Sequence, residues 1–388
     1  MKQDVLLNWQ LGSTYGWGIV GLNLFSQWAN DRQIRPLCGA PLENAAEHFP
    51  DPLRALEIGP AVDAANRFLA DLDALRVGTV IVTEAIVVDP LGSGGKPWPF
   101  FGIKHVGRCV FQDSRFPRSA DFGKYDALLV ASRWNAELLD EYTELPIEII
   151  HEGVDTSLFC PGTKSGFLDP EKFYIYAGGK IEPIKGQDLI LLAFRVFAQR
   201  HPDAVLVTSW HSLWPQATAG YRGRLEAAVE IGAQGWLDIV KWARDNGVPG
   251  EQFIDLGMFP NHRLPTILRE MDLCLHPSRA EACTSLPVKE AMACGVPVIA
   301  AFNTGLRDLL TPENALILAH QRPVEMAGIG TEGWGESDVE EILAHMEWAY
   351  QHRNEARRLG LAASEWLVRE GRTWHAHAEK LKTFLLQL

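Results

Sequence analysis

The sequence predicts an α/β fold of two open, mostly parallel sheets whose loops face each other across a central cleft. Three observations predict it. The 388 residues, 47% hydrophobic and 22% charged, have the make-up of a soluble globular protein and the length of two domains of roughly 150 to 200 residues each. Short apolar runs alternate with stretches whose apolar spacing is helical rather than two-fold, the pattern of parallel-sheet units. That alternation occurs twice, on either side of "FCPGTKSGFLDP" at 159–170, whose prolines and glycines read as an interdomain linker.

Along the first half, strands are expected in "DVLLNWQ" at 4–10, "GTVIVTEA" at 78–85, "RCVFQD" at 108–113, "YDALLVAS" at 125–132 and "IEIIHEG" at 147–153. Helices are expected in "IVGLNLFSQWA" at 19–29 and "PAVDAANRFLADLDAL" at 60–75. The second half offers strands in "KFYIYAG", "AVLVTSW", "QFIDLG", "DLCLHPS" and "VPVIA", separated by helical patterns at 187–200, 221–245 and 263–271. Residues 354–388 are helical again, and "GRTWHAHAEKLKTFLLQL" is expected to pack back across the first domain. Two such sheets place loops at the C-terminal ends of their strands, so a ligand between the domains is held by both sets.

A net charge of −13 argues against coating nucleic acid and against adhesion to anionic lipid. Any anionic ligand must therefore find a local positive pocket. The six cysteines contain no C-x-x-C pair and "MKQDVLLNWQ" lacks a secretory apolar core, which points to a cytoplasmic protein. No transmembrane segment is expected, since no stretch is apolar for the length a span requires; peripheral membrane contact stays open.

Chemistry concentrates in "HPSRAEACTSLPVKEAMACG". The strand ends near His276, and the small residues Ala282, Cys283, Thr284 and Ser285 lead into a helix expected to start around Leu286–Pro287, where proline is favoured because the first helical N–H groups need no intrahelical acceptor. Those N–H groups, with the helix dipole behind them, form an anion site of the size and sign of a phosphate. Glu290 falls on the first turn or so, where a carboxylate can accept two hydroxyl hydrogen bonds, as from a ribose; Glu281 precedes the loop. The two read as hydroxyl-reading groups on opposite sides of a phosphate site. The alternative has Glu290 capping the helix and Glu281 solvated. With no histidine pair and no Asp/Asn-rich oxygen cage nearby, neither a dedicated metal centre nor a cofactor is expected.

The pattern resembles the group 1, or family 4, glycosyltransferases, in which a Glu, a Gly-rich turn and a second Glu precede "AMA-x-G-x-PVIA"; the matching text is "EACTSLPVKEAMACGVPVIA". Eight residues separate Glu281 from Glu290, one more than the commoner spacing, and Ala282, Cys283 and Thr284 stand where the family has glycines. "HEGVDTSLFCPG" at 151–162 and "YAGGKIEPIKGQDLILLAF" at 176–194 resemble two further signatures, with Lys180 in place of an arginine and Lys185 matching the lysine. The resemblance implies a GT-B architecture: a Rossmann-like, acceptor-side domain at 1–160, a nucleotide-sugar donor domain at 161–355 and a C-terminal helical segment at 356–388. It implies that Lys180, Lys185 and the N–H groups of Thr284, Ser285 and Leu286 neutralise the departing diphosphate without a metal. Either lysine alone also reads as a surface charge. Arg279 is a further phosphate contact on this view, or else solvated.

The loop "LGSTYGWGIVG" at 11–21 lacks the G-x-G-x-x-G spacing of a nicotinamide or flavin site. Gly16 and Gly18 would admit close approach of a donor phosphate or acceptor; an ordinary turn around Trp17 is the alternative. Asp113, ending a strand, is expected to orient an acceptor hydroxyl, with His105 and His211 as further candidates against a structural role for each. Ser132 reads as a helix N-cap, and Ser209 lacks a nucleophile-elbow pattern. The function expected is retaining transfer of a sugar from a nucleotide diphosphate sugar to a hydroxyl acceptor, a glycan or small glycoside, with no essential metal and no nucleic-acid partner. Alternatives on the same fold are sugar-nucleotide epimerisation or hydrolysis, and a non-catalytic binding or assembly protein.

Overall fold

The structure, a computed structural model, describes residues 2–42, 48, 51–72, 76–92 and 97–388. The N-terminal domain has a six-stranded sheet in the order Ile34–Cys38, Gln3–Leu7, Ile86–Gly92, Lys104–Val110, Ala127–Val130 and Ile147–Ile149, parallel throughout. The C-terminal domain repeats the plan with Phe253–Asp255, Ala204–Ser209, Phe173–Gly178, Leu273–His276, Val298–Ala301 and Leu316–Leu318. Each sheet grows in both directions from its first strand, which creates a switch point where the loops of two adjacent strands part and leave a crevice. This is the GT-B arrangement of two α/β domains flanking a cleft.

Three strands of the two six-stranded sheets escape the sequence patterns: Ile34–Cys38, Ile86–Gly92 and the short edge strand Leu316–Leu318. The first two carry a proline, which removes a ladder donor. Pro36 is tolerated because its strand is at the sheet edge. Pro90 is tolerated because the first strand pairs only as far as Val88, leaving Pro90 paired on one side with Arg108. The expected strand at 78–85 supplies only Val80–Val82, in a small side sheet with Arg76–Val77 and Phe100–Phe101. The expected helix at 60–75 is the end of Pro52–Ala70, and its residues 73–75 lie outside the described residues.

The long helix expected at 221–245 is reduced to Ile239–Asp245. Residues 221–238 use their backbone otherwise: Arg224 N donates to Asp188, Glu226 N and Ala227 N donate to the Asn246 amide oxygen, and Gly223 and Gly235 take positive φ. Side chains thus capture donors that a helix would have spent on its own carbonyls.

The Trp374–Gln387 helix inserts Trp374, Ala378, Leu381 and Leu385 into the N-terminal core, and Trp28 Nε1 donates to Ala378 O at 3.2 Å. Gly153 permits this return, because a Cβ there would stand 2.2 Å from the Thr373 carbonyl carbon. Among the described residues, no helix is long and apolar enough to cross a membrane.

Candidate active site

In the C-terminal domain the strand order reverses between Phe173–Gly178 and Leu273–His276, and the loops after these two strands build the site. The first loop closes with a short 3-10 turn, Pro183–Lys185, and then Gly186 at φ 71° opens the Gln187–Arg200 helix. A Cβ on Gly186 would meet Pro277 O at 2.4 Å. Glycine therefore serves both the left-handed backbone and the close approach of the two loops.

That approach brings Lys185 to Glu281, with Nζ 2.9 and 2.7 Å from the two carboxylate oxygens. Glu281 Oε1 also bonds His276 Nε2 and accepts from Ser278 Oγ, each at 2.8 Å, while its own N–H donates to Thr304 Oγ1 at 2.7 Å. Burial by itself would raise the Glu281 carboxyl, but Lys185 and His276 more than offset it and bring the pKa down to about 2. The same carboxylate, outweighing desolvation, raises the Lys185 ammonium. A solvated Glu281 is thereby ruled out: the residue is 4% exposed.

The Leu286–Ala293 helix starts after Ser285, whose φ of 54° puts the left-handed turn on a serine rather than on Ala282, Cys283 or Thr284. Ser285 Oγ lies 3.0 Å from His276 Nε2, so the turn is tied to the Glu281 cluster. Among the described residues, the N–H groups of Thr284 and Ser285 donate to no backbone acceptor. Leu286 packs against the N-terminal core. Glu290, on the same helix, is buried and accepts from Asn261 Nδ2 at 2.6 Å; burial pushes its carboxyl up to about 7. It does not cap the helix. Beside it is a cavity of about 40 Å³ reached by Ser13 and Arg54 from the N-terminal domain.

Other expected residues have different placements. Lys180 stands apart from Lys185, pairing with Glu182 at 2.7 Å with its side chain 46% exposed. Arg279 is neither solvated nor available to a phosphate: it is buried, bonded to both Asp188 oxygens at 2.9 and 2.7 Å, to Glu336 at 2.8 Å and to Pro183 O at 2.7 Å. Those bonds occupy Nε, Nη1 and Nη2 alike. Asp113 is likewise taken, accepting from the Arg115 side chain and from Gly330 N at 2.7 Å, which makes it an interdomain anchor rather than a free acceptor-orienting base. Gly18 is required by its own loop, since a Cβ would lie 2.7 Å from Gly12 O, whereas Gly16 has open space. His105 is buried under Gly102 N, and His211 bonds Asp255 at 2.7 Å. Ser132 caps its helix through Asn135 N and reaches across the cleft to Ala282 O at 2.7 Å.

Several residues of the site are not singled out by the sequence patterns. His276 and Ser278 orient Glu281, and their signal was position: the end of a central strand, just before the acidic loop. Lys289, fully buried, donates to Thr284 Oγ1 at 2.9 Å and Glu152 O at 3.1 Å, and Glu152 accepts from Arg108 at 2.6 Å. Among the described residues no group of three or more His, Cys, Asp or Glu side chains is gathered to hold a metal ion.

Residues 172–329 match the family model described as glycosyl transferases group 1. A D-inositol 3-phosphate glycosyltransferase of Segniliparus rotundus is 28% identical over 41% of this chain and 32% of its own length. D-inositol 3-phosphate glycosyltransferase 1 of Catenulispora acidiphila is 29% identical over 50% and 47%. The chain thus spans half or less of the length of these curated relatives. Among solved structures, sucrose-phosphate synthase of Thermosynechococcus elongatus covers the whole chain, and 99% of its own, at 16% identity and TM-score 0.68. HepE of Anabaena, solved with UDP-glucose, covers 99% of this chain and 100% of its own at 14% identity and TM-score 0.61. Residues 172–329 are accordingly similar to the group 1 glycosyltransferases, within a chain that has the GT-B fold.

Proposed function

We propose that the chain is a retaining glycosyltransferase that moves a sugar from a nucleotide diphosphate sugar to a hydroxyl of a carbohydrate or small glycoside. The observation that carries this reading is the Lys185–Glu281 pair held against a helix N-terminus whose loop N–H groups at Thr284 and Ser285 donate to no backbone acceptor among the described residues. Breaking the sugar–diphosphate bond leaves charge on a phosphate oxygen. The loop donors and Lys185 meet that charge in a site largely closed to water, where fixed donors are most effective. An ammonium has three donors, so Lys185 can hold Glu281 and a phosphate oxygen together.

Glu281, kept ionised, faces the transferred sugar, and Glu290 faces the ribose. The first contact counts most as positive charge develops at the anomeric carbon. The N-terminal domain supplies the acceptor side, where a Cβ on Gly16 would meet open space. The curated relatives are named for a polyol phosphate acceptor, which supports a small polyhydroxyl acceptor here. The chemistry assigned to Lys185 and the loop donors requires no metal.

Incubation with uridine-, guanosine- and adenosine-diphosphate sugars, with and without a panel of sugar and polyol acceptors, tests the proposal. Product found only with acceptor, with the donor's anomeric configuration by NMR, is the expected outcome. Free sugar or an epimerised donor in the absence of acceptor would overturn transfer as the main reaction, and an inverted linkage would overturn retention.

A further inference from the structure

A second cavity, of about 190 Å³, lies on the opposite side of the C-terminal domain. Phe173, Asp272 and Pro297 line it, and these stand at the N-terminal starts of three sheet strands. The cavity therefore opens at the sheet edge away from the cleft. In a chain of net charge −13 its charge is reversed: Arg269, Arg353 and Arg357 line it with a single carboxylate, Asp272, which is already held by Lys164 at 2.7 Å and by Tyr174 N at 2.9 Å.

The three guanidiniums are placed differently. Arg269 lies along the linker, donating from Nε to Cys160 O at 3.0 Å and from Nη2 to Leu158 O at 2.8 Å, and Nη1 takes part in neither bond. Arg353 is stacked on Phe173 and Tyr350, 4.9 and 4.7 Å from the ring centroids, and Asp203 is 3.3 Å away. Arg357 makes no hydrogen bond or ion pair among the described residues. A planar fork left free beside a half-committed one matches the oxygens of a phosphate group.

We infer that this cavity is a binding site for a small phosphate-bearing anion, either inorganic phosphate or a short phosphate ester. Its volume of about 190 Å³ is below the roughly 300 Å³ at which sites for drug-sized ligands begin, which suits a small anion. The walls join two parts of the chain. Pro161 and Gly162 belong to the interdomain linker, and Cys294 and Gly295 end the helix that carries Glu290. An anion bridging Arg269 and Arg357 ties that linker to the C-terminal domain at the far end of the donor helix. The site stands whether or not the transferase reading does.

Titration calorimetry with inorganic phosphate and with glycerol 3-phosphate, at physiological salt, tests it on the full chain, on Arg357→Glu and on Lys185→Ala. Arg357 is exposed, and circular dichroism checks that its variant is folded. The expected result is binding by the full chain, at least tenfold weaker binding by Arg357→Glu, and unchanged binding by Lys185→Ala. Tighter glycerol 3-phosphate marks an ester as the ligand, and equal affinities mark the phosphate group alone; both support the site. No binding at millimolar probe, equal binding by Arg357→Glu, or parallel loss in Lys185→Ala would each overturn it, the last by moving the anion to the cleft.

Discussion

Lys185 is bonded to both oxygens of Glu281, so removing it acts twice. It takes away the proposed charge-assisted contact to the donor, typically about 1.5–3 kcal/mol, and it leaves a buried carboxylate held only by His276, Ser278 and its own loop. Lys185→Ala is expected to weaken nucleoside diphosphate binding by roughly 10- to 100-fold in calorimetry, and to lower stability to denaturant. Lys180→Ala is expected to do less of both, because its ammonium is half exposed beside Glu182. An unchanged nucleotide affinity in Lys185→Ala would remove that lysine from the site. The pair also sets an acid limit. The folded-state pKa of Glu281 is lowered to about 2, so its stabilisation is present above the unfolded value and is lost as pH falls from the ordinary carboxylate range toward 2.

Glu290 behaves oppositely. Burial raises its pKa to about 7, so the fold favours its protonated form and its contribution to stability declines as pH rises from the usual carboxylate range through 7. A ribose diol donates to the ionised form. Nucleotide affinity is therefore expected to rise between pH 6 and 8, with proton release visible as a dependence on buffer ionisation enthalpy, and Glu290→Gln is expected to flatten both. A pH-independent affinity in the unsubstituted chain would contradict the ribose assignment.

At the scale of elements, the site depends on two loops being close enough to share Lys185 and Glu281, and Gly186 controls that distance. Gly186→Ala adds a Cβ 2.4 Å from Pro277 O at φ 71°. The strained backbone alone costs about 1 kcal/mol, and relief by separation of the loops takes Lys185 away from Glu281. Loss of nucleotide affinity with retained secondary structure is expected, read by calorimetry and far-UV circular dichroism on one sample. Unaltered affinity would show that the loops accommodate the methyl group elsewhere. The 221–238 segment shows the converse. Its apolar spacing is helical in sequence, yet Asp188 and Asn246 capture its backbone donors.

At the scale of the whole molecule, the chain crosses from the second domain back to the first, and the Trp374–Gln387 helix completes the N-terminal core. Gly153 stands where that return meets the interdomain segment, and a methyl carbon at that position would lie 2.2 Å from the Thr373 carbonyl carbon. Gly153→Ala is expected to cost about 1–3 kcal/mol through overpacking, seen as a lower denaturant midpoint. A midpoint equal to that of the unsubstituted chain would mean the two segments part freely. Exhaustive chelation is expected to leave most transfer in place, since the proposed mechanism gives the charge stabilisation to Lys185 and the loop N–H groups; complete loss restored only by Mg²⁺ or Mn²⁺ would contradict that mechanism.

The order of residues along the chain carries what local chemistry sets. Apolar spacing placed the helix at 187–200 and five of the six strands of the second sheet, missing only the three-residue edge strand Leu316–Leu318, and the run from Ala282 to Pro287 announced a helix entered from a tight loop. The two glutamates and Lys185 were legible because their order along the chain marks them, whereas their partners were not. That Glu281 is held by Lys185, His276 and Ser278, that Arg279 is spent on Asp188 and Glu336, and that Asp113 anchors Gly330 are contacts between residues mostly far apart in sequence. Periodicity reports which face of an element is apolar; it carries no information on which loop lies opposite. The free energy of a buried charge depends on that neighbour, so whether an arginine grips a phosphate or a carboxylate was settled only when the two sheets brought their loops together.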